Sequence, residues 1–136
     1  MFDIEEEVLK HPGIYEAEVI KFNINNEEYP AIVVVLKQEW KDRISEVLKY
    51  ISNIKVPGSE YLLGTRFIDK FKTNPITSKR DYLSLTEDKD GYYRYYGGNN
   101  MLCQINIDST RCNITAITED ELRIHSFDSP KVLVKK

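Results

Sequence analysis

Apolar positions recur along this chain with two different periods, and the switch between them marks the elements. Trp40, Ile44, Val47, Leu48 and Ile51 fall on one stripe of a helix while Lys41, Asp42, Arg43, Glu46 and Lys49 face away. AIVVVL over residues 31–36 is an unbroken β-branched run, the pattern of a strand buried on both faces. Residues 14–22 alternate as a second strand, with 23–30 as a polar connection between the two. At the start, DIEEEVLK predicts a helix over 4–10, with Asp3 as N-cap, Glu6 three places on, and glutamates at the positive end of the helix dipole. His11-Pro12-Gly13 stops it, because Pro12 cannot continue the hydrogen-bond ladder and Gly13 can take the left-handed backbone. Residues 61–68 read as extended, 72–79 as a polar loop and 80–85 as a short helix. From Gly91 onward the texture is that of a meander, with strands predicted near 92–96, 101–107, 112–118, 121–127 and 131–135.

This order gives an α+β fold: a small sheet with helices packed on it over residues 1–85, followed by a β-rich C-terminal extension over 86–136. The extension is expected to cover an edge or face of the first sheet. With 136 residues the chain is short for closing a cleft over two substrates, though ample for a binding module or a lid. Nineteen basic against 22 acidic side chains, with no long run of one sign, argue against nucleic acid as a partner. No segment is apolar for long enough to span a membrane and the acidic N-terminus is unlike a signal peptide, so the chain reads as cytoplasmic.

Cys103 and Cys112 lack metal-site spacing and read as free thiols. His11 reads as a turn residue and His125 as a strand residue, so no metal site is expected. Glu5 and Glu6 read as solvated helix-terminal acids rather than an acid/base pair. The sequence Asn113-Ile114-Thr115 fits an N-glycosylation pattern that a cytoplasmic chain would not use. The cluster Tyr92-Tyr93-Arg94-Tyr95-Tyr96 could stack bases or sugars, but an aromatic strand whose alternate tyrosines pack on the preceding domain is the stronger reading.

Three segments in order carry a family resemblance: IEEEVLKHPGIYEAEVI (4–20), EYPAIVVVLK (28–37) and KVPGSEYLLGTRFIDKFKTNPITSK (55–79). Over about residues 3–85 the chain resembles the C-terminal lid domain of the adenylate-forming enzymes, the group that includes acyl-CoA synthetases. The resemblance implies an ATP-dependent carboxylate ligase that forms an acyl-adenylate and passes the acyl group to coenzyme A. The large N-terminal AMP-binding domain of such an enzyme, in cis or in trans, would be the partner. By position the family's catalytic loop lysine corresponds to Lys79, with Lys72 and Arg80 as nucleotide-binding candidates. A lysine suits that role because its flexible stem delivers a point charge where negative charge builds up. Between residues 66 and 80, Arg66, Lys70, Lys72, Lys79 and Arg80 oppose only Asp69, a balance that would favour an anionic nucleotide. Two local departures stand out: Ser78 occupies the place usually held by glycine, and Pro75 lies one place farther from the lysine than in the commonest family loop. Without the large domain's phosphate loop, the isolated chain is expected neither to bind ATP well nor to make an adenylate. The alternative is a non-catalytic binding or scaffolding module that keeps the lid fold and holds a partner through its β-rich tail.

Overall fold

The unbroken apolar run at residues 31–36 becomes the centre of a sheet with a separate core on each face. In the computed structural model, which describes residues 2–87, 91–97, 101–108 and 111–126, the elements are α1 (Phe2–Leu9), β1 (Ile14–Ile24), β2 (Glu27–Leu36), α2 (Ile44–Ser52), β3 (Thr65–Ile68), α3 (Leu83–Glu87), β4 (Tyr92–Tyr96), β5 (Met101–Ile107), β6 (Cys112–Ala116) and α4 (Glu119–His125). The strands lie in sequence order in one six-stranded sheet, and the fold is α+β. Only β2 and β3 are parallel; their connection runs through α2, as a parallel pair requires.

Alternation along β2 sorts the two cores. Ile32, Val34 and Leu36 join Ile4 and Val8 of α1, Val47, Leu48 and Ile51 of α2, and Leu122 of α4. Ala31, Val33 and Val35 point the other way, to Ile20, Phe22, Ile24, Ile68, Leu85 of α3, Tyr92, Ile105 and Ile107. The adjacent tyrosines Tyr92 and Tyr93 divide between these cores, both essentially inaccessible to solvent. The meander continues the sheet from β3, where Thr65 pairs with Tyr93, so the tail lies along an edge of the first three strands.

Several local expectations are corrected. Residues 23–30 are mostly strand, because Asn25 (φ 52°) and Asn26 (φ 69°) close a two-residue hairpin turn that needs left-handed backbone at both positions. Asp3 lies inside α1 rather than at its N-cap. Gly13 does not adopt positive φ; a Cβ there would meet Trp40 ring atoms at 2.4–2.8 Å, so the glycine makes room for an indole. Trp40 sits in a 3-10 turn before α2 rather than in the helix, and extended backbone before Ile68 begins only at Thr65. The predicted helix at 80–85 starts later, where the Asp81 carboxylate accepts from the N–H groups of Leu83 and Ser84.

The strand expected at 121–127, His125 included, is instead helix α4. Thr118 caps it by accepting from the Glu121 N–H while the Glu121 carboxylate accepts from the Thr118 N–H. This reciprocal box satisfies two orphan donors and overrides the β-like composition. The strand expected at 131–135 lies outside the described residues. Among the described residues no helix is long and apolar enough to cross a membrane.

Candidate functional site: the Lys79 loop

Two glutamates in β1, Glu16 and Glu18, share the face of Ile20 and Phe22, and at that end of the strand the core gives way to charge. Arg80 answers both: its guanidinium donates to Glu16 at 2.5 Å and to Glu18 at 2.7 Å. The same group lies over the Phe71 ring, 4.2 Å from its centroid. Partial burial works against the Arg80 charge, but the two carboxylates outweigh it and raise the arginine's pKa. Tyr82, beside it, has a raised phenol pKa through burial and a hydrogen bond with Glu18.

From this anchor a narrow loop projects. Thr73 and Arg80 form an antiparallel bridge, the Asn74 N–H donates to the Lys79 carbonyl at 2.8 Å, and the Asp81 N–H donates to the Lys72 carbonyl at 2.8 Å. Inside the turn the Asn74 side chain accepts from the N–H groups of Ile76 and Thr77, which organises the residues after Pro75. Ser78 takes φ +63°, the left-handed conformation that a glycine would adopt more easily. Ser78 therefore holds this left-handed turn at a cost of about 1 kcal/mol relative to glycine.

The backbone of Lys79 is fixed on both sides while its side chain is exposed, with no carboxylate paired to it among the described residues. Lys72 is also exposed, on the opposite strand of the loop. The arrangement separates the three candidates: Lys72 and Lys79 offer free ammonium groups, whereas the Arg80 guanidinium is taken up in holding the loop. The positive balance counted in the sequence shrinks accordingly. Arg66 is buried against the Tyr92 ring and Asp69 is paired with Lys41 at 2.8 Å, which leaves Lys70, Lys72 and Lys79 as the exposed cations of the segment.

Sequence reasoning missed Glu16 and Glu18. Their signal was present, since two acids at i and i+2 on a strand must share a face, here one otherwise apolar.

The other singled-out residues have structural surroundings. His11 Nδ1 accepts the Gly13 N–H at 2.9 Å and its ring meets Trp40 and Tyr50 edge-on, each at 4.9 Å. The Glu5 carboxylate accepts the Val19 N–H at 2.8 Å, tying α1 to the outer edge of β1. Cys103 is buried and Cys112 half-buried, both free thiols whose pKa values burial pushes up. No cluster of three or more metal-ligating side chains occurs among the described residues.

No protein-family model matches the chain, and no curated protein does. Among solved structures it is similar to the ATP-bound RpMatB-BxBclM chimera B3, with TM-score 0.49 and 24% identity over 63% of this chain and 17% of that one. It is also similar to a benzoate CoA ligase from Burkholderia xenovorans LB400, with TM-score 0.45 and 20% identity over 62% of this chain and 18% of the ligase. A third likeness is to a Mycobacterium tuberculosis fatty acyl CoA synthetase, with TM-score 0.42 and 25% identity over 62% of this chain and 16% of the synthetase. The matched region thus spans less than a fifth of each of these larger chains.

Proposed function

We propose that this chain acts as a lid domain of an acyl-CoA synthetase-like, ATP-dependent carboxylate ligase and supplies Lys79 to an adenylation site built by a larger AMP-binding domain. The observation that carries the reading is the loop itself: a rigid hairpin with an exposed ammonium beside its base and an arginine anchor underneath. A solvated surface lysine has no need of a fixed backbone, whereas a lysine that must reach a phosphate and a carboxylate in another polypeptide does. The left-handed Ser78 supports the same reading, because strain is retained where a turn shape matters.

In this role the Lys79 ammonium meets the negative charge that builds on the phosphate as the carboxylate attacks, and Lys72 adds a second, longer-range attraction for the nucleotide. Arg80 is a positioning residue that holds the hairpin to β1. ATP and coenzyme A are substrates of the assembled enzyme, and the acyl pocket belongs to the larger domain.

The test combines this chain with a lid-deleted large domain of such a ligase and follows carboxylate-dependent pyrophosphate exchange. Removing a group that stabilises developing charge costs about 10²–10³ in rate, so Lys79→Ala should lower exchange to that extent with the chain still folded. Unchanged exchange in Lys79→Ala would refute the assignment.

A further inference from the structure

The two edges of the sheet are treated differently. On β1 the outward N–H of Val19 is taken by Glu5, and α1 packs alongside. On β6, no described residue pairs with the outer edge. We propose that this edge is a self-association surface, pairing antiparallel with β6 of a second copy of this chain about a two-fold axis at Ile114.

Hydrogen bonds at the two ends of β6 fix which groups point outward. The Asp108 N–H donates to the Arg111 carbonyl at 2.9 Å, and the Ile117 N–H donates to the Leu102 carbonyl at 3.0 Å. Because both polar groups of a strand residue point to one side and alternate along the chain, positions 111, 113, 115 and 117 bond inward to β5. Cys112, Ile114 and Ala116 therefore direct their N–H and C=O groups away from the sheet. Centring a two-fold on Ile114 sets Cys112 against Ala116 of the second copy and Ile114 against its own counterpart. Every outward group then meets an outward group, giving about six backbone hydrogen bonds.

The side chains fit the same register. The strand Cys-Asn-Ile-Thr-Ala carries no charge, no proline and no bulge to blunt its open edge. Ile114 is 54% exposed and borders a groove of about 190 Å³ walled by Tyr29, Tyr61 and Tyr96; the two-fold places it beside the same residue of the other copy. Charge selects the direction. The exposed Arg111 precedes the strand while the exposed Asp120 follows it, beside Glu119 and Glu121 that are already held by Ser45 and Arg123 and by Thr118, so antiparallel pairing brings the Arg111 of each copy toward the acidic end of the other. A parallel arrangement would set like against like. Glu16 and Glu18, which hold the Lys79 loop, lie on β1 at the opposite edge, so pairing through β6 leaves both loops accessible.

The experiment is sedimentation equilibrium of the full chain up to about 100 μM, with hydrogen exchange measured at low and high concentration. A concentration-dependent dimer is expected, with amides of Cys112, Ile114 and Ala116 gaining protection as it forms. Ile114→Lys should weaken association at least tenfold. Ile114→Pro, which removes an outward donor while leaving the inward ladder intact, should do the same, and the urea midpoint reports whether either variant still folds. Arg111→Glu should weaken the dimer, and the swap Arg111→Glu with Asp120→Arg should restore it. The proposal is overturned if the chain stays monomeric throughout that range. It is equally overturned if those amides are protected in the monomer, meaning that the chain's own residues cover the edge, or if a dimer forms that Ile114→Lys leaves intact.

Discussion

Replacing Arg80 by methionine keeps an apolar stem over Phe71 while deleting both hydrogen bonds to β1. A hydrogen bond to a charged group contributes about 1.5–3 kcal/mol when buried. Here the three side chains are each about one-third exposed, so screening brings each contact closer to the upper end of the surface-pair range, about 1 kcal/mol. The change also leaves Glu16 and Glu18 roughly 7 Å apart on one strand face without a counter-ion, a repulsion of about 0.5 kcal/mol in this solvated setting. The sum is about 2.5 kcal/mol. With a urea slope of about 2 kcal/mol/M the midpoint should fall by about 1 M. The melting temperature should fall by about 7 °C for a chain of this size. A double-mutant cycle sharpens the test: Glu18→Gln should destabilise the wild type but be neutral or stabilising in the Arg80→Met background, where it relieves repulsion. If instead the hairpin alone opens, the midpoint holds and tryptic cleavage after Lys72 and Lys79 accelerates. A midpoint shift below about 0.3 M together with unchanged cleavage would refute the anchoring argument.

Two further outcomes follow from the N-terminal turn. Gly13→Ala would put a Cβ 2.4 Å from the Trp40 ring and should cost about 1–3 kcal/mol in urea unfolding; Trp40→Ala in the same chain should remove most of that cost, and failure of the rescue would place the strain elsewhere. His11 has a lowered pKa, mainly because burial opposes its charge, and its Nδ1 is occupied as an acceptor. The unfolded state therefore takes up a proton first as the solution is acidified. Stability should be at its full value above the ordinary histidine pKa of about 6.5, fall as pH drops through that value, and level off once the folded state also protonates. His11→Phe should flatten that part of the urea-midpoint profile, and an unchanged slope would count against the histidine as its source.

The sequence was legible where one physical demand acted alone. The apolar run at 31–36 can be satisfied only between two cores, and it is. The tyrosine cluster read as a strand with alternate tyrosines packed inward, and it is a strand, but both adjacent tyrosines 92 and 93 are buried because each face of the sheet has its own core. It misled where a short-range interaction competed with composition. Residues 121–125 look like strand, yet Thr118 and Glu121 impose a helix by capping it; that T-x-x-E spacing was readable and was outweighed by the periodicity around it. Gly13 suggested a left-handed turn because that is glycine's common use, while its actual reason, an indole 27 positions later in the chain, is a tertiary fact. At the candidate site Lys79 could be picked out by position, but the division of labour between it and Arg80 depends on Glu16 and Glu18, more than 60 residues away.

The shortest strand also sets how this sheet is assembled. β1 and β2 are joined by a tight turn, and β4, β5 and β6 pair as sequence neighbours, so each group can zip up from contacts close in the chain. β3 has four residues; it meets β2 only after a crossover and β4 through one registered pair. The two locally encoded halves are joined along that seam, and closing it carries most of the loop-closure entropy of folding. Substitutions at Phe67 or Ile68 should therefore slow refolding disproportionately, whereas changes within either hairpin group should act chiefly on the half they belong to.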